Sequence, residues 1–174
     1  MRHLLWENSE LLMQRPQFGV QEVLEAIVQD TLENVLAGKG AAIHYVVPEV
    51  TVLDAVGKMN DERIGALLVC VSGEMVGIFT ERDVLCRVVA EGRDPAATRV
   101  VDVMTQEVVA VRSTTTVEEA MAVFTEKRFR HLPVVDDGEL KGLVSSGDLT
   151  RRVSRSQEGH IQDLMNYITG RYPG

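Results

Sequence analysis

Apolar residues recur at the spacing of one helix face twice in the chain, at Val52, Ala55, Val56 and Met59 and again at Val117, Ala120, Met121 and Phe124. Thr51 and Thr116 stand just before these runs, each with an acid three residues on (Asp54, Glu119), which predicts a side-chain cap at both helix starts. A short apolar run follows each helix, ALLVCV or HLPVVD, then a turn, SGE or DDGE, then a second run, MVGIF or LKGLV. Asp137 and Gly138 between two apolar runs predict antiparallel strands joined by a tight turn. Extended stretches, IHYVVP and VVAVRS, precede the helices. A further helical pattern closes each unit, through Val84, Leu85, Val88 and Val89 in the first and Leu149 and Val153 in the second. The predicted unit is β-α-β-β-α.

The two units are copies of each other. Displacing the chain by 65 residues lays 46–88 on 111–153 without a gap and with 13 identities. EGRDPAAT, polar and containing Gly92 and Pro95, reads as the linker between them. Residues 1–24 are an N-terminal extension, 25–92 the first repeat, 93–158 the second and 159–174 a helical tail. Amphipathic helices are expected from Val20 to Leu36, through Val23, Ile27 and Leu32, and again near the end, through Ile161, Leu164, Met165 and Ile168. Such helices cover core or a subunit interface. The fold class is α+β, an α/β sandwich of two repeats with flanking helices.

One pattern closes both copies: GIFTERD from Gly77 to Asp83 and GLVSSGD from Gly142 to Asp148. It suits a nucleoside. Glycine removes a side chain where a flat base could approach, the Thr80 or Ser145 hydroxyl sits at a helix start, and the aspartate can accept from both ribose hydroxyls. Free N–H groups at that helix start favour a phosphate nearby. Ser/Thr-x-x-Asp is also an ordinary capping box, the device already used at Thr51 and Thr116 with no ligand implied. The recurrence of the whole pattern in both copies, after matched hairpins, favours the nucleoside.

Composition narrows the classes. At 174 residues, 45% hydrophobic and 25% charged, the chain can bury a sizeable core. Its 26 acidic against 18 basic residues give net charge −8, which repels polyphosphate backbones, so any bound phosphate needs a local basic pocket. Few aromatic residues and the net negative charge argue against nucleic acid. Cys70 in an apolar run and Cys86 in a helical pattern read as reduced core thiols. The start, MRHLLWENSELLMQRP, has only short apolar runs, neither signal peptide nor membrane span, and a cytoplasmic protein is expected. His3, His44, His131 and His160 show no metal spacing, no Ser-His-Asp or Cys-His grouping is visible, and no G-x-G-x-x-G or P-loop occurs. An enzyme is not expected, nor a catalytic cofactor.

The β-α-β-β-α repeat, with RHLPVVDDGELKGLVSSGDL, IGALLV and GIFTERD, resembles the CBS-pair (Bateman module) family over roughly residues 25–155. QDLMNYITG resembles the tail of stand-alone bacterial members. The resemblance implies two repeats packed sheet to sheet with pseudo-twofold symmetry, leaving two clefts for AMP, ATP, NAD or S-adenosylmethionine. It implies that Thr80 and Asp83 hold ribose in one cleft and Ser145 and Asp148 in the other. Ile43, His44 and Tyr45 would face the base beside Asp148, and Met104, Thr105, Val108 and Val109 the base beside Asp83. Arg130, His131 and Arg82 would serve phosphate. Gly65 and Ala66 stand in the first copy where the second has Arg130 and His131, so the two sites should be unequal. The function implied is an adenine-nucleotide sensor that passes ligand state to a partner protein and forms a homodimer through its helices. The alternative is a ligand-free dimeric scaffold.

Overall fold

The computed structural model describes residues 30–40 and 43–155. The expected helix around Ile161 to Ile168, the whole N-terminal extension and residues 20–29 of the expected first helix lie outside these residues. In chain order the elements are helix α1 (Leu32–Lys39), strand β1 (Tyr45–Val46), helix α2 (Val52–Glu62), strands β2 (Ala66–Val71) and β3 (Glu74–Thr80), and helix α3 (Glu81–Asp83), which runs on into a π-helical stretch, Val84–Val89. A single 3-10 turn, Val100–Asp102, follows the linker. Helix α4 (Val117–Lys127) and strands β4 (His131–Asp136) and β5 (Glu139–Ser145) complete the second copy, with a last helix, α5, over residues 146–155.

Matching local chemistry builds matching copies. The Asp54 N–H donates to Thr51 Oγ1 at 3.1 Å and the Glu119 N–H to Thr116 Oγ1 at 3.2 Å, so both expected caps form. Ser72 and Gly73 in one hairpin, and Asp137 and Gly138 in the other, all take positive φ, the geometry that a two-residue turn needs to follow the strand twist. Both hairpins slip register at the same place, between Val69 and Cys70 and between Val134 and Val135. The opening strands are shorter than the sequence suggests. Val46 pairs in parallel with Val69, and the second copy keeps one bridge, Val111 to Val134.

Strand β2 is apolar throughout because it is buried on both faces. Leu67 and Val69 enter the core of the first copy with Val52, Ala55, Met59, Phe79 and Val88. Ala66, Leu68 and Cys70 point the other way, into a cluster that joins the copies and receives Ile43, Val108, Leu140 and Leu143. The core of the second copy gathers Val117, Ala120, Phe124, Leu132, Val134, Val144 and Leu149 around Leu32 and Val35 of α1.

Three sequence expectations need correction. The helix expected from Val20 to Leu36 does not run through Asp30 and Thr31: Thr31 is extended, bridges Thr116, and only at Leu32 does the helix begin. The reason is that the Asp30 carbonyl is needed as acceptor for the Val117 N–H, at 2.8 Å. Cys70 is buried as expected, but Cys86 is exposed. Leu85 and Val89, both 63% exposed, are likewise not core, because a helix lying on a sheet buries one stripe and Val84 and Val88 take it. Met121 is exposed on α4 for the same reason, its neighbours Val117, Ala120 and Phe124 filling the core stripe.

Since Leu32 is fully buried in the second copy's core, Leu32→Ala should cost about 2–5 kcal/mol of stability. Urea unfolding would register this as a lowered midpoint at unchanged slope. A cost near zero would mean that α1 is only laid on the surface.

Candidate functional site

Each copy ends its hairpin in a capping box whose acid is buried. Asp83 is 6% exposed and Asp148 8% exposed. A carboxylate so placed must be well bonded, or burial would cost more than the fold can supply. In the first copy Asp83 Oδ2 accepts from the Thr80 N–H at 2.9 Å and the Thr80 hydroxyl at 2.7 Å. The second copy repeats this at 2.9 and 2.7 Å from Ser145 to Asp148 Oδ2. The capping function of both aspartates is therefore real, and the remaining oxygen decides what else they can do.

At Asp83, Oδ1 has two long contacts: the Thr105 hydroxyl at 3.3 Å and Arg87 Nη1 at 3.2 Å. Arg87 also donates to the Val103 and Met104 carbonyls, at 2.8 and 2.7 Å. Ile78 and Thr105 exchange backbone hydrogen bonds at 2.9 Å, which fixes the chain entering the second copy against the end of β3. Thr80, Asp83, Met104 and Thr105 thus stand together. A cavity of about 590 Å³ is lined by Met104 and Thr105 of this group together with Arg87, Arg93, Glu91 and Asp102, and Arg93 pairs with Glu91 at 2.9 Å. That volume is in the range of small-molecule sites.

At Asp148 the surroundings differ. Lys39 Nζ, from the last turn of α1, reaches Asp148 Oδ2 at 2.8 Å and also donates to the Leu143 carbonyl at 2.9 Å. Arg151 binds Oδ1. Burial pushes the Asp148 carboxyl up, but the Lys39 ammonium and the Ser145 hydroxyl and N–H outweigh it and hold the pKa at about 2. His131 stands close by at the start of β4. Burial, then the Lys39 charge, hold its imidazole below the usual range, with Arg130 adding to this, and the opposing pull of Asp148 does not offset them. His131 also lies at the join between copies, where a Cβ on Gly65 would sit 3.4 Å from its ring and 3.3 Å from the Glu81 carboxylate.

The other expected residues are more scattered. Ile43 and Val108 pack in the cluster between the copies, and Val109 is exposed. His44 pairs with Glu62 at 3.7 Å, and the exposed Tyr45 ring lies under Lys58, so both engage α2. Arg82 and Arg130 are exposed, the latter fixed by its carbonyl, which accepts from the Ser146 N–H at 2.9 Å. The glycines have another use than the one expected of them. A Cβ on Gly77 would meet Met104 Sδ at 2.8 Å and the Thr105 carbonyl at 2.9 Å, and one on Gly142 would meet Leu36 at 2.7 Å. The missing side chains admit neighbouring chain segments, not a base.

Lys39, Arg87 and Arg151 escaped the sequence reading. Arg87 had a visible signal, since Arg152 matches it in the repeat and it lies four residues after Asp83. Lys39 had none. Carrying the displacement back sets it opposite Met104, an unlike residue outside the matched stretch.

Because the Asp148 carboxyl is held near 2 when folded, against its ordinary 3.8, its contribution should be complete above about pH 4 and fade as pH falls towards 2. The loss should be about 2 kcal/mol. Unfolding of the parent and of Asp148→Asn, compared at pH 5 and pH 2, isolates it. A gap between the two proteins that does not change with pH would show that the carboxylate is not held this way.

A family model described as CBS domain matches residues 41–90 and 100–155. The chain is 37% identical, over 82% of its own length and 73% of the relative's, to the CBS domain-containing protein CBSX3, mitochondrial, of Arabidopsis thaliana. A crystal structure of a CBS domain superposes with a TM-score of 0.69 at 40% identity, covering 71% of this chain and 98% of that one. A protein with CBS domains from Burkholderia ambifaria superposes at 0.67 and 42% identity, covering 70% and 90%. Two matched segments, a displaced repeat and two matching hairpins lead to one conclusion: this chain belongs to the CBS-domain family and carries the domain as a tandem pair.

Proposed function

We propose that the chain is a regulatory module that binds an adenine nucleotide, of the AMP, ATP or NAD type, and passes its ligand state to a partner protein. CBS-domain proteins are generally regulatory modules that bind adenine nucleotides, and the matches indicate no enzyme family. The observation that carries the reading is the pair of buried aspartates at the ends of β3 and β5, each with a cap on one oxygen and a neighbouring chain segment beside it. In this reading Thr80 and Asp83 receive ribose in the first cleft, with Met104 and Thr105 beside the base. Ser145 and Asp148 do the same in the second cleft, with Ile43, His44 and Tyr45 on its base side. Arg82 and Arg130 supply charge to phosphate, and His131, neutral near pH 7, would act as a donor.

Apolar side chains left exposed on the helices, Leu53 on α2, Leu85 and Val89 on the π-helical stretch after α3 and Met121 on α4, support a homodimer formed through those helices. Cys70 and Cys86 are free thiols, which suits a cytoplasmic setting. Among the described residues no helix is long and apolar enough to cross a membrane.

Calorimetry on aspartate variants tests the proposal. Asp83→Ala and Asp148→Ala should each remove one class of nucleotide site, since losing a carboxylate bonded to ribose hydroxyls costs about 1.5–3 kcal/mol. Every buried side-chain nitrogen and oxygen among the described residues already has a partner, as a ligand-free scaffold would also have. If the doubly substituted protein still bound AMP, ATP and NAD like the parent, the aspartates would be caps and nothing more.

A further inference from the structure

The two clefts differ in one feature that the repeat does not explain. From the opposite segment Asp83 receives the uncharged Thr105 hydroxyl, whereas Asp148 receives an ammonium. Lys39 Nζ adds a third donor to Asp148 Oδ2, already bonded by the Ser145 hydroxyl and N–H, while Arg151 occupies Oδ1. A carboxylate has about four acceptor positions. A diol arriving at Asp148 therefore finds its places largely taken.

The group that takes them is tied to a larger element. Lys39 is the last residue of α1, and its ammonium bonds both Asp148 and the Leu143 carbonyl at the end of β5. Just before the other end of α1, the Asp30 carboxylate pairs with Arg152. Both ion pairs run to the same helix, α5, so α1 is strapped to it at two points. Between them lie Leu32 and Val35, buried, and Leu36, packed over Gly142.

We propose that Lys39 gates the second cleft: a nucleoside can engage Asp148 only by displacing the Lys39 ammonium, and that displacement loosens α1 from α5. This rests on the nucleotide reading above and deepens it. It makes α1 the element that reports occupancy, and it makes the first cleft the one that fills first. The displaced pair is partly exposed, with 39% of the Lys39 side chain accessible, so the gate is weak enough for a small ligand to open. Lys39 is a positioning residue here and contributes no contact to the bound ligand.

Adenosine is the probe, because it has no phosphate to attract the freed ammonium. The background is Asp83→Ala, in which only the second cleft is left to bind. There Lys39→Met should tighten adenosine by about fivefold, the worth of a partly exposed ion pair, and Lys39→Arg, which keeps the pair, should bind as the parent does. Melting curves confirm that the variants fold. Hydrogen exchange supplies the second readout: saturating adenosine should speed exchange of the α1 amides in the parent, and Lys39→Met should show that faster exchange without ligand. Equal adenosine affinity with and without Lys39, or α1 protection that adenosine leaves unchanged, would overturn the gate while leaving the nucleotide reading intact. Weaker binding in Lys39→Met would also overturn it, by making Lys39 a ligand contact. Absence of binding by both adenosine and AMP, to any of these proteins or to the parent, would instead overturn the nucleotide reading and the gate together.

Discussion

The first helix of each copy begins with an N–H group that its own copy does not satisfy. Val52 donates to the Thr98 carbonyl at 2.9 Å, and Val117 donates to the Asp30 carbonyl at 2.8 Å. These are equivalent positions in the repeat, and in both cases the acceptor comes from the chain leading into the other copy. An unpaired amide at a buried helix start would cost about as much as a lost hydrogen bond, so the two approach segments are held where they are by necessity. From there each continues across the hairpin of the copy it has capped. One brings Met104 and Thr105 to Asp83, and the other brings Leu36 and Lys39 to Asp148. The surroundings of the two aspartates follow from this crossing of chains.

Burial of the aspartates then constrains the chemistry. The capping boxes satisfy one oxygen of each and would suffice to keep helices α3 and α5 in place. What the opposite segment brings to each aspartate differs because the approach segments are unlike in sequence, Thr105 to Asp83 Oδ1 and Lys39 to Asp148 Oδ2. A neutral hydroxyl and a nearby arginine leave Asp83 loosely engaged, while Lys39 and Arg151 neutralise Asp148. Pseudo-symmetry of the backbone therefore coexists with asymmetry of charge.

Much of this was legible from the sequence, and what was not has a physical reason. Caps, hairpins and the core stripes of α2 and α4 are local, set by residues within one turn of one another, and they fell where the spacing of Thr51, Thr116, Gly73 and Gly138 put them. The start of α1 is not legible in an apolar period, which cannot reveal that Thr31 bridges Thr116 and that the Asp30 carbonyl accepts from Val117. Gly77 and Gly142 suggest room for a base in the sequence, but tertiary packing uses that room for Met104 and Leu36. Lys39 is a surface-type residue in sequence, and only the crossing of chains makes it a neighbour of Asp148.

If each chain holds two unequal places for an adenine nucleotide, as proposed, native mass spectrometry counts them most directly. Titrated with AMP, the protein should gain one nucleotide mass per chain at low concentration and a second only at higher concentration. A mass that never rises with AMP, ATP or NAD up to the millimolar range would contradict the account, as would two nucleotides entering every chain together at every concentration.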